Sequence, residues 1–209
     1  MYQASNPYLR FLFTLILSAV FTACTRDEIL DNKAGRGKNA PAAHIAASEK
    51  MAIPAAVDLP ANLPKGNTRI ATYYAVGVQK YKAREKAGSN PVAYEWVFVA
   101  PQADLYDASN ARVGSHGAGP FWELSAADSI FAQQFAPAKT APSQDPDSID
   151  WLLLMPKAGT TPTGIFADAD YIQRIATKGG KAPATPPSSS TQVTEVKYQA
   201  VYRFTKTNN

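Results

Sequence analysis

The sequence predicts an all-β fold, either a β-sandwich or a closed or partly closed barrel of about nine strands. Three observations carry that expectation. Sixteen prolines and twelve glycines are spread through the 209 residues, which favours many turns over long helices. Aromatic residues make up 11 %, and they fall in short runs bounded by Gly, Pro, Asn, Asp and Ser, as strands do. No stretch after the N-terminal apolar run repeats apolar residues with a sustained helical period.

The first element stands apart from that fold. Phe11 to Ala23 (FLFTLILSAVFTA) is an apolar run behind Arg10, and a helix needs about 20 residues to cross a bilayer. A charged start, a short apolar stretch and small residues at its end describe a signal peptide over residues 1–23. Its end, Phe21-Thr22-Ala23-Cys24, resembles the bacterial lipobox, whose cysteine takes a diacylglycerol and whose new amine is acylated, with palmitate for instance. Cys24 is the only cysteine in the chain, so it is expected to be a lipid attachment point and the membrane a partner through that anchor. Thr25 after the cysteine favours the outer membrane of a Gram-negative envelope. Asp27 and Glu28 read as the start of a solvated linker, or as a short acidic signal for the cell surface.

Residues 24–51 are rich in Ala, Asn, Lys and Gly without apolar periodicity, and read as a flexible linker. They contain Gly35-Arg-Gly37-Lys-Asn-Ala40, a formal dinucleotide fingerprint, but no strand precedes it, so it reads as linker too. Residues 52–209 form the β-rich domain. Thr68–Arg84 is one long strand whose apolar parity changes near Gly77, where a bulge is expected. Tyr94–Ala100 is apolar at both parities, as in a strand covered on two faces. Leu105-Tyr106 and Ala111–Val113 flank Asp107–Asn110, which has hairpin chemistry. Further strands are expected at Phe121–Leu124, Ser129–Phe135, Trp151–Met155, Tyr171–Thr177 and Val196–Phe204. Pro137–Pro146 and Pro183–Ser190 read as connections.

Composition excludes several chemistries. One cysteine and two histidines, His44 and His116, leave no metal centre of the Cys or multi-His kind, and no cofactor motif appears. The net charge of +4 comes from scattered lysines without a nucleic-acid motif, so no nucleic-acid partner is expected. Lys80, Lys82, Arg84 and Lys86 share one strand face and read as a solvated edge, with anionic lipid as the rival partner. The densest cluster of special residues is Gly114–Glu123. There His116, Trp122 and Glu123 offer a base, a flat ring and a carboxylate for a ligand pocket. The competing reading is a structural turn with a packed tryptophan and a surface histidine. Glu95, Asp104, Glu123 and Asp150 are the acids from which a hydrolase pair would have to come. Arg174, set among apolar residues, is expected to face a buried carboxylate.

Several ordered motifs resemble one family: Gly77-Val-Gln79, Trp96-Val-Phe-Val-Ala-Pro101, Leu105-Tyr-Asp107, Gly119-Pro-Phe-Trp-Glu123, Asp150-Trp-Leu-Leu-Leu154, and Tyr171-Ile-Gln-Arg174 with Gly179-Gly180. They are similar to the secreted bacterial and fungal domain-of-unknown-function family 3455, over about residues 51–206. The resemblance implies no settled activity, and so no catalytic residue. A malate dehydrogenase label on some fungal relatives has no support here, since the chain has no dinucleotide-binding βαβ unit. Many members carry two cysteines where this chain has Tyr81-Lys-Ala83-Arg84 and Pro187-Ser-Ser-Ser190, so that pairing is absent. The expected function is a cell-envelope binding module for a glycan or small ligand. A carboxylate-dependent hydrolase and a purely structural envelope protein are the alternatives.

Overall fold

A computed structural model of the chain describes residues 37 and 39–209. The expected signal peptide 1–23, Cys24, and the stretch of the expected linker up to residue 36, with residue 38, lie outside the described residues. Eight strands follow in order: β1 Asn67–Glu85, β2 Tyr94–Tyr106, β3 Arg112–Gly117, β4 Phe121–Ser125, β5 Asp128–Ala141, β6 Trp151–Pro156, β7 Tyr171–Gly179 and β8 Val193–Thr207. Each runs antiparallel to the next. β8 returns to β1 from Asn67↔Thr207 to Lys82↔Val193, so the sheet closes into a barrel, with β2 paired to β3 only from Ala103 to Tyr106.

There are eight strands rather than nine because Tyr94–Ala100 and Leu105-Tyr106 belong to one strand that runs through Pro101. Pro101 sits beside the register shift at Lys80/Tyr81, where a missing N–H disturbs the ladder least. Pro137 is tolerated inside β5 for the same reason, in the break between Gln134 and Lys139. The β2–β3 turn follows its residues closely: the Asp107 carboxylate accepts from the backbone N–H of Ser109 at 2.8 Å and Ala111 at 3.0 Å. Asn110 takes the left-handed conformation there, at φ 69°.

The expected bulge at Gly77 is not where the irregularity falls. Tyr73, Ala75, Gln79 and Tyr81 all point inward, one parity throughout, and the register shifts are at Arg69/Ala71 and Lys80/Tyr81. Gly77 is glycine because β2 comes close: a Cβ there would lie 2.0 Å from the Gln102 carbonyl oxygen. Nor is Tyr94–Ala100 covered on both faces, since Phe98 and Val99 are 50 % and 51 % exposed.

Two apolar layers result. Inside the barrel Tyr73, Leu105, Trp122, Leu154, Ile172 and Phe204 pack together. Phe166, on a short 3-10 helix Gly164–Phe166, closes one end with its ring 4.6 Å from that of Phe204. Outside, Tyr74, Trp151, Leu153, Ile175 and Val201 form a second cluster covered by Ile45 and Val57. Ile45 belongs to α1, Pro41–Ser48, which corrects the expectation of a flexible linker reaching residue 51. Pro41 starts the helix, and an eight-residue helix without a capping side chain depends on what it packs against. Here His44 stacks on Tyr74 at 4.4 Å, and Glu49 takes Arg69 at 3.0 Å and Arg203 at 3.2 Å.

Candidate functional site

The end of the barrel opposite Phe166 is open and holds a cavity of about 750 Å³, within the usual size of small-molecule sites. Its apolar wall comes from Tyr81, Phe98, Trp122, Leu152, Leu154 and Tyr202, and its polar groups from Gln79, Gln134, Thr140, Arg174 and Lys181. The shift at Lys80/Tyr81 builds the rim. Tyr81 pairs with Phe98 while Lys80 pairs with Ala100, so Val99 is the extra residue, and both Phe98 and Val99 line the opening.

His116 and Trp122 meet in this wall as cross-strand partners on β3 and β4. Their rings stack at 4.5 Å with 14° between planes, and the edge of Tyr202 meets Trp122 at 5.0 Å. His116 is only 4 % exposed, not a surface residue. Its Nδ1–H donates to the Phe121 carbonyl at 2.7 Å, which leaves Nε2 to accept from the Tyr202 hydroxyl at 3.1 Å. Burial pushes its pKa down to about 3, and the Arg174 charge acts in the same direction. The ring is therefore neutral at ordinary pH and both its nitrogens are engaged. It shapes and stiffens the wall and has no free nitrogen for base catalysis.

Glu123 does not join them. It follows Trp122 on β4, so its side chain leaves on the outer face, where it borders a shallow groove with Ser125 and Phe131. The other candidate acids are also scattered. Glu95 pairs with Arg84 at 2.7 Å and Asp104 with Arg112 at 2.6 Å, both on the exposed exterior. Of the four, Asp150 alone reaches the cavity, so no facing pair for glycoside hydrolysis is assembled. Among the described residues no group of three His, Cys, Asp or Glu could hold a metal ion. The basic face of β1 is partly matched by acids: Lys80 lies 3.4 Å from Glu195, and Arg84 has Glu95.

Arg174 is the residue whose role sequence reasoning missed. On β7 it lies between Leu152 of β6 and Tyr202 of β8, both inward-facing. The expected carboxylate partner is not there. Its Nε and Nη2 donate instead to the Asp150 backbone carbonyl, at 3.1 and 2.8 Å. Two further wall residues carry unspent donors, since Gln79 Nε2 and Trp122 Nε1 are buried without a partner among the described residues. The alternation Tyr171-Ile-Gln-Arg174 held the clue, because the parity that buries Ile172 also turns Arg174 inward.

A family model described as "Protein of unknown function (DUF3455)" matches residues 64–206. The match takes in the barrel from the start of β1 to the last turn of β8 and leaves out α1. No curated protein and no solved structure matches the chain.

Proposed function

The chain belongs to the DUF3455 family, and we propose that it is a lipid-anchored envelope protein whose barrel binds a small ligand at its open end. The observation that carries this reading is the cavity of about 750 Å³. Its walls are mostly apolar, and a few polar groups converge on it, which is how small-molecule sites are built. A ligand with an apolar body suits it better than a glycan. Sugar recognition by stacking needs a free ring face, whereas Trp122 is 0 % exposed between His116 and the rings of Tyr202 and Phe204. Anchoring rests on the residues around Cys24 alone; no helix among the described residues is long and apolar enough to cross a membrane.

The binding reading is tested by titrating the purified chain with an apolar fluorescent probe and displacing it with octyl compounds. Saturable binding is expected. Thr140→Trp, a change at an exposed rim position, should weaken it about tenfold by filling the mouth, a loss near 1.4 kcal/mol. Absence of saturable binding, or the same affinity with the mouth filled, would refute the reading.

A further inference from the structure

We infer that the ligand of the open end carries an anionic head, a carboxylate or a phosphate, and that Arg174 is its counter-charge. This rests on the cavity reading above and gives it a chemical class. Arg174 is a half-buried cation inside the barrel, and no Asp or Glu among the described residues pairs with it within 4.0 Å. A charge withdrawn from water without a counter-charge is unfavourable, and an arriving anion relieves it. The Asp150 carbonyl holds the guanidinium by Nε and Nη2, and Tyr202 stands beside it on β8, so at most three of its five N–H donors remain for a ligand. A guanidinium held in this way matches the two oxygens of a planar carboxylate, or two of a phosphate.

The surroundings agree in sign. Gln79 and Trp122 in the same wall each carry a buried donor, Nε2 and Nε1, without an acceptor among the described residues. Lys181 adds a second cation at the rim, where its ammonium donates to the Pro146 carbonyl. The one acid on the wall, Asp150, holds Arg174 through its backbone while the residue as a whole stays exposed at the rim. Leu152 and Leu154 on the neighbouring strand β6, and Phe98 across the mouth on β2, offer an apolar wall for the body. The ligand class is thus amphiphilic, with its head at Arg174 and its chain along that wall.

The test compares four probes that share one chain and differ in the head: octanoate, octyl phosphate, octanol and octylamine. Each is titrated calorimetrically into the purified chain and into Arg174→Gln and Arg174→Lys. For the wild type, octanoate and octyl phosphate should bind at least about tenfold more tightly than octanol, with octylamine weakest. The order of the two anions then separates carboxylate from phosphate recognition. Arg174→Gln should erase the preference for the two anions over octanol, and Arg174→Lys should keep part of it. Octanol binding as well as octanoate, or a preference that survives Arg174→Gln, would overturn the anion assignment while the cavity reading stands. If none of the four binds the wild type, the cavity reading falls and the assignment with it. Thermal melts establish that the variants fold, and the wild-type ranking does not depend on them.

Discussion

His116 couples the barrel wall to pH. Its pKa is about 3 in the folded chain against an ordinary 6.5, with burial as the main cause. Between those values the unfolded chain binds a proton that the folded chain refuses, so stability is whole above pH 6.5 and falls as the pH drops towards 3. The loss amounts to a few kcal/mol. His44 is shifted in the same direction, by burial first and then by Lys178, so both histidines contribute. Asp107, Asp128 and Asp145 have pKa values held below the ordinary carboxylate value by hydrogen bonds, and lose their contribution only at lower pH. His116→Phe should therefore flatten the dependence of melting temperature on pH between 6.5 and 4.5, leaving the His44 share. An unchanged slope would mean that His116 is not the group excluded from protonation. At this scale the sequence marks which residues are unusual but not which way they face. His116 and Trp122 are legible as a cluster because the turn at Ala118–Pro120 folds them together. Glu123 was grouped with them by proximity in the chain, and strand alternation sends it outside. Arg174 looked structural because nothing local reveals that a carbonyl, and no acid, would meet it.

Among the elements, α1 was the least legible. Its apolar content is one isoleucine among alanines, and eight residues are too few to show a period. What holds it is tertiary. Arg203, only 5 % exposed on the outer face of β8, reaches Glu49 at 3.2 Å and Ser48 Oγ at 3.3 Å. The buried guanidinium needs an acid, its own Nε is already without a partner, and Glu49 supplies the charge just past the helix end. Glu49→Ala would leave that cation uncompensated. Because Glu49 is half exposed, the expected cost is about 1–2 kcal/mol, below that of breaking a fully buried pair. That corresponds to a drop of a few degrees in melting temperature, with faster amide exchange over residues 41–48. No change in either measurement would mean that α1 is held by its apolar contacts alone. The strands are easier to read, since aromatic and β-branched residues bounded by turn residues mark all of them but β3, whose RVGSHG offers only Val113. Their lengths are not, because Pro101 and Pro137 read as breaks and only the register shows that the ladder is already interrupted beside them.

For the molecule as a whole, the barrel has two unlike ends and a strapped outer wall, and the anchor proposed at Cys24 would set what can reach the open end. With α1 docked against the barrel, the chain is ordered from Pro41 onward, inside the stretch expected to be linker. An amphiphilic ligand with an anionic head would suit a barrel held at a membrane surface by that anchor. The placement depends on Cys24, and the alternatives differ in a measurable way. If Cys24 is acylated, cells given an alkyne-tagged palmitate should label the chain, and detergent should be needed to extract it from membranes. Cys24→Ser should then abolish the label and leave residues 1–23 attached, visible as a precursor mass, because cleavage before that position requires the lipidated cysteine. If the segment is an ordinary signal peptide with an incidental cysteine, Cys24→Ser changes nothing: the chain is cut, released and soluble in both forms. The only cysteine of the chain stands at the one position the lipobox requires, which makes the first outcome the expected one. A labelled wild type whose octanoate affinity equals that of Cys24→Ser would further separate the anchor from the binding end.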